Sequence, residues 1–183
     1  MKITSHWAAR IKRATRNFLT LTLSLGLILP NLSFAQDLPT PLTSALMLKI
    51  VELEQNLSAG KQLTIMVIND PALAKTLKTR QGKAVKDSLL ASVIAIEKLS
   101  EAGDNIPDIL FIGRTKNTKD VIAFANKHKI LTVTGDSNAV YQGMILAFYN
   151  NEGVPGILLN LPASKANGFQ WQPEILNVVS VVK

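Results

Sequence analysis

Four side chains in this 183-residue chain stand where chemistry could be done: Asp70, Arg114, Thr115 and Asp136. Asp70 directly follows an apolar, β-branched run, Leu63 to Asn69 (LTIMVIN). Arg114 and Thr115 follow Ile109–Gly113, and Asp136 follows Ile130–Gly135. If those runs are parallel strands, all four residues lie at strand carboxyl ends, where open α/β sheets bind ligands. Backbone amides at the helix starts found there suit an anion. Arg114 is the one fixed positive charge in the set. The same positions also have a plain structural use. Asp70, Gly113 and Asp136 are good capping and turn residues with no ligand at all. Both readings stand.

Other constellations are weaker. Gly113 to Lys119 (GRTKNTK) is rich in donors, but it lacks the Gly-x-x-x-x-Gly-Lys-Ser/Thr pattern that wraps phosphates. No Gly-x-Gly-x-x-Gly follows the first strand either, which speaks against a nucleotide cofactor; no cofactor is expected. His128, between Lys127 and Lys129, reads as a solvated residue facing a helix dipole. One such histidine and no cysteine argue against zinc and any thiolate chemistry. A Ser-His-Asp triad would need His128, and no Gly-x-Ser-x-Gly elbow is present. Glu52 and Glu54, two apart on a helix, do not face each other; they and Asp104 and Asp108 read as solubilising charges. Phe169 and Trp171 read as core or lid residues, with a binding platform as the alternative. No catalytic set emerges, so the chain is not expected to be an enzyme.

The N-terminus sets the compartment. Lys2, Arg10, Lys12, Arg13 and Arg16 form a basic head without an acid. Phe18 to Leu29 (FLTLTLSLGLIL) is apolar, Pro30 breaks it, and Ser33-Phe34-Ala35 offers small residues at a cleavage site. This is the layout of a secretory signal peptide, too short in its apolar part for a comfortable membrane span. Cleavage is expected before Gln36, with no membrane span left afterwards. The basic balance goes with it. Residues 1–35 hold five of the 20 basic residues and none of the 13 acids, so 15 and 13 remain. Nucleic-acid affinity is therefore not implied. The remaining length suits one domain with a real core.

Stepping along the chain, residues 36–43 (QDLPTPLT), with two prolines, read as an extended leader. Thr43 or Ser44 caps a helix to about Asn56, with Leu46, Ile50, Leu53 and Leu57 at helical spacing and Met47 and Val51 widening the stripe. That stripe packs into the core or serves as an interaction face. Leu63–Asn69 is a strand. Asp70 and Pro71 open a helix that Gly82 can close. Residues 83–90 are ambiguous. Ala91–Ile96 is a second strand, residues 97–107 a polar loop or short helix, and Ile109–Ile112 a third strand. Thr118 caps a helix bearing Val121, Ile122, Phe124 and Ala125, and Ile130–Thr134 is a fourth strand. A short polar turn follows Asp136. Met144–Tyr149 and Ile157–Asn160 form a hairpin around Asn150–Gly153. Residues 162–183 read as one or two helices, although the valines leave a strand possible. The expected fold class is α/β: one domain, a mainly parallel sheet flanked by helices, with a C-terminal antiparallel hairpin.

From Ile130 onward the chain reads Leu131-Thr132-Val133-Thr134, Gly143-Met144-Ile145, Gly156 to Leu161 (GILLNL), Ala163 and Ala166. In these residues it resembles the YfiR-like periplasmic proteins. Gly168 and Glu174-Ile175-Leu176 echo the family's next helix. Ser44–Glu54, Leu63–Asp70 and Asp108–Ile112 resemble its first helix and two of its strands. The resemblance implies a non-enzymatic periplasmic regulator that binds the periplasmic domain of an inner-membrane sensor, of the diguanylate cyclase type. It also implies a homodimer. Gly143, Met144 and Asn160 are the motif residues with backbone and packing roles. A periplasmic small-molecule binder, with its pocket at the strand ends, is the alternative. The chain departs from the pattern at Gln142, which replaces the first glycine of a pair. It also lacks the Trp-Pro that closes the family's first helix and its cysteines, so disulfide-based control is impossible here.

Overall fold

The computed structural model describes residues 38–113 and 117–182. The basic and apolar segment over 1–35 lies outside the described residues. The described chain is one α/β layer system built on a single eight-stranded sheet. Helix α1 covers Thr40–Val51, strand β1 Gln62–Ile68, and helix α2 Pro71–Lys78. Strands β2 (Ala84–Val85), β3 (Ser88–Ile96) and β4 (Ile109–Ile112) follow. Then come α3 (Thr118–His128), β5 (Leu131–Thr134) and the short α4 (Ser137–Tyr141). Strands β6 (Leu146–Asn151) and β7 (Val154–Asn160), helix α5 (Leu161–Ala166) and strand β8 (Ser180–Val182) complete the chain.

The sheet order is β2-β3-β1-β4-β5-β6-β7-β8. The runs β3-β1-β4-β5-β6 and β7-β8 pair in parallel, while β2-β3 and β6-β7 are antiparallel. From β1 the chain crosses to β3 on one side and then returns to β4 on the other. The switch point therefore lies between β1 and β4.

The apolar runs become strands because both faces of the sheet are covered, so every residue finds a core. Leu63, Ile65 and Val67 of β1 point to one face with Ile109 and Phe111 of β4. There Met47, Ile50 and Val51 of α1 and Leu73, Ala74 and Leu77 of α2 cover them. Met66, Ile68, Leu110 and Ile112 point to the other face, under Val121 and Ala125 of α3 and Ala139 of α4. Each fully buried Leu or Ile contributes about 1.5–3 kcal/mol of transfer free energy. The stripe on α1 is thus core: Met47 is 1% exposed. A third, smaller cluster, Val140, Ala147 and Leu158, lies under α4.

Several boundaries differ from the sequence reading. α1 begins at Thr40, not at Thr43 or Ser44, so the leader expected over 36–43 is helical from Thr40 on. Pro41 sits in the first turn, where its missing N–H costs nothing. Thr43 bonds back to the Pro39 carbonyl instead of capping. The helix stops at Val51, and residues 52–58 turn. β3 starts at Ser88, three residues early, because the little β2 strand folds back on it. The polar turn expected after Asp136 is the helix α4, capped by Asp136 itself. The hairpin turn is tighter than expected. Glu152 and Gly153 alone turn the chain, at φ 51° and 90°, the left-handed pair that suits a twisted hairpin.

The largest correction is at the C-terminus, where helices were expected over 162–183. Asn160 caps only the short α5, with Pro162 in its first turn, and Gly168 ends the segment at φ 85°. A 3-10 turn over Pro173–Asn177 leads into β8, where the valines lie on the sheet edge beside β7. β-Branched side chains favour that pleated surface over a helix.

Candidate functional site

The residues at the strand carboxyl ends converge on a cleft of about 650 Å³. Asn69 and Asp70 after β1, Ile112 and Gly113 at the end of β4, and Thr134, Gly135 and Asp136 after β5 form its rim. The cleft sits at the switch point, where diverging crossovers leave a crevice. Two of the four expected site residues, Asp70 and Asp136, line it together. Arg114 and Thr115 lie outside the described residues, although Gly113 and Thr118 on either side of them line the cleft.

Local sequence explains the rim. Asp70 caps α2: its Oδ1 accepts from the Leu73 amide at 2.8 Å, and Pro71 follows in the first turn. Asp136 caps α4 by accepting from the Asn138 amide at 2.9 Å, and its own amide donates to Thr134 Oγ1 at 3.1 Å. Each carboxylate thus has one oxygen engaged in capping. Gly113 lets β4 pass close to β1. A β-carbon there would fall against the Asn69 carbonyl, and the Gly113 amide donates to Ile68 O at 2.8 Å. The floor is apolar, formed by Leu73, Phe111, Met144 and Phe148.

The sequence reading missed two walls. Leu38, Thr40 and Thr43 at the start of α1 close one side, and Tyr149 and Asn150 of β6 close another. No short-range signal marks them, because they reach the cleft only through tertiary packing. Chemically the described lining offers carboxylates, amides and hydroxyls above an apolar floor, which suits binding. His128 is elsewhere, at the end of α3, its ring 4.8 Å from that of Phe124. Among the described residues no three His, Asp or Glu side chains gather as metal ligands.

The motif residues act beneath the rim. Gly143 takes φ 118° beside Ile122, and Met144 is 1% exposed in the cleft floor. Asn160 joins three elements: its Nδ2 donates to Val140 O of α4 at 2.8 Å, and its Oδ1 accepts from the Ala163 amide of α5 at 2.9 Å. Two carboxylates read as solubilising have other work. Asp108 Oδ2 accepts from the Thr64 amide at 2.8 Å, holding β4 to β1. Glu54 is fully buried, accepting from the amides of Leu57 and Gln170, both at 2.7 Å. The turn after α1 rotates it inward, which helical spacing could not foretell. Phe169 is buried, and half-buried Trp171 donates its indole N–H to Ser164 Oγ at 2.6 Å.

Among the described residues no helix is long and apolar enough to cross a membrane. No curated protein matches the sequence. A crystal structure of a conserved domain protein from Vibrio cholerae has a similar fold, with a TM-score of 0.55 at 12% identity. The match covers 79% of this chain and 60% of that one. At such identity the likeness is one of fold. The sequence itself says more: the model of the YfiR/HmsC-like family matches residues 42–180, from the first helix to the last strand, and the chain belongs to that family.

Proposed function

We propose that this protein is a periplasmic, non-enzymatic regulator. It binds the periplasmic sensor domain of an inner-membrane signalling enzyme of the diguanylate cyclase type and modulates its output. The carrying observation is the family match over residues 42–180. The signal-peptide layout of residues 1–35, with cleavage before Gln36, agrees with export, and a homodimer is the expected state. A binding role also fits the site, whose described side chains are caps and hydrogen-bonding groups without a nucleophile–base pair. The test is a crosslinked pull-down of the tagged protein from membranes, read by mass spectrometry, with cyclic-di-GMP measured after gene deletion. One enriched inner-membrane sensor and a changed cyclic-di-GMP level are expected. Recovery of the protein alone, with an unchanged level, would overturn this reading.

The cleft favours a second reading, that of a small-molecule binder or sensor. Its volume is that of an ordinary ligand pocket, and Asp70, Asp136, Arg114 and Thr115 would be the contact residues. A metabolite screen by thermal shift tests it. A stabilising ligand whose shift is lost in Arg114→Ala supports this reading, and a screen without shifts defeats it.

A further inference from the structure

Residues 168–182 are attached differently from the rest of the fold. Only Phe169 and Ile175 in this segment are buried apolar side chains. Strand β8 pairs along one edge, Leu158 with Ser180, Leu159 with Val181 and Asn160 with Val182. Trp171 and Val179 pack half-buried on the main core and Val182 on the small cluster, and the polar attachment is concentrated on the turn after α1. The Gln55 amide donates to Gln170 O and the Gln172 amide to Leu53 O, both at 2.8 Å, around an antiparallel bridge between Glu54 and Trp171. At its centre the buried Glu54 carboxylate accepts one backbone N–H from each side, Leu57 through Oε2 and Gln170 through Oε1. No salt bridge to Glu54 is found among the described residues.

We propose that residues 168–182 form a releasable strap, latched by the Glu54 carboxylate, that covers the outer edge of β7. Segments with few buried apolar contacts open locally, at lower cost than the whole fold. The latch needs two acceptors facing two donors, which a carboxylate supplies and an amide of the same shape does not.

Hydrogen exchange of the purified protein, resolved residue by residue, tests this. In the unmodified protein the bonded amides of Gln170 and Gln172 should exchange at least roughly tenfold faster than those of β1 and β4. Glu54→Gln should speed them roughly tenfold more, because one buried N–H loses its acceptor, while β1 and β4 stay unchanged. Exchange of the strap in step with β1 and β4 overturns the proposal. So does a Glu54→Gln variant that leaves the strap unchanged or speeds every element alike. If Glu54→Gln does not fold, Trp171→Phe removes the indole bond to Ser164 instead, and it must quicken the strap alone or the proposal fails.

Discussion

The two halves of the sheet are held together by different means. In β3-β1-β4-β5 the strands are parallel, β1 and β4 bury apolar side chains on both faces, and helices α1, α2 and α3 supply the covers. In β6-β7-β8 the covering helices are the five-residue α4 and the six-residue α5, and individual polar side chains fix the geometry. Asn160 ties β7 to α4 and α5, Thr132 Oγ1 accepts from the Ile145 amide at 2.8 Å, and Glu54 holds the final segment. The first half follows from patterning and tolerates detail. The second depends on a few bonds, each decisive. The cleft at the switch point draws on both halves, with rim residues from β1, β4 and β5 and a wall from β6.

The contrast can be broken by substitution. Leu110→Ala, in the fully buried centre of the parallel half, should cost about 3–4 kcal/mol and lower Tm by about 10 °C. If urea unfolding shows a loss below about 1 kcal/mol, the parallel half is not the stabilising core. Asn160→Ala should cost about 2 kcal/mol, since it leaves the Ala163 amide without its cap and removes the side-chain tie to the Val140 carbonyl, which keeps its bond from the Gly143 amide. A loss no greater than that of an exposed site would remove the distinction between the halves. Asp70→Ala and Asp136→Ala should each cost about 1 kcal/mol as lost caps. Their double variant should show additive losses by the same unfolding assay, because each carboxylate caps a different helix. Glu152→Asn should stabilise the hairpin by about 0.5 kcal/mol, placing Asn-Gly at two left-handed positions. A lower unfolding midpoint would show that turn geometry is not what limits β6–β7.

The same division explains what was legible in the sequence. β1, β4 and β5 could be read almost to the residue, because a buried parallel strand is an unbroken apolar run between turn residues. Asp70 with Pro71 announced α2 through local capping chemistry, and the placement of Asp70 and Asp136 on one rim followed from parallel strands. At β8 the valines left a strand open beside the expected helices, but three residues of valine and serine carry no period that decides between the two. α4 was hidden by its length. Glu54 was hidden by a change of backbone: the end of α1 at Val51 converts a charge on a helical surface into the centre of a hydrogen-bond cluster. The walls from α1 and β6 are tertiary, and nothing in the neighbouring sequence encodes their approach.

The indole of Trp171 sits inside the strap, its N–H held by Ser164. In a chain beginning at Gln36 it is the one tryptophan. Ultraviolet excitation of a protein prepared from Gln36 onward therefore reports from a single address. Its emission colour and quenching by iodide give a real-time optical readout of the last segment while a partner or small molecule is titrated in.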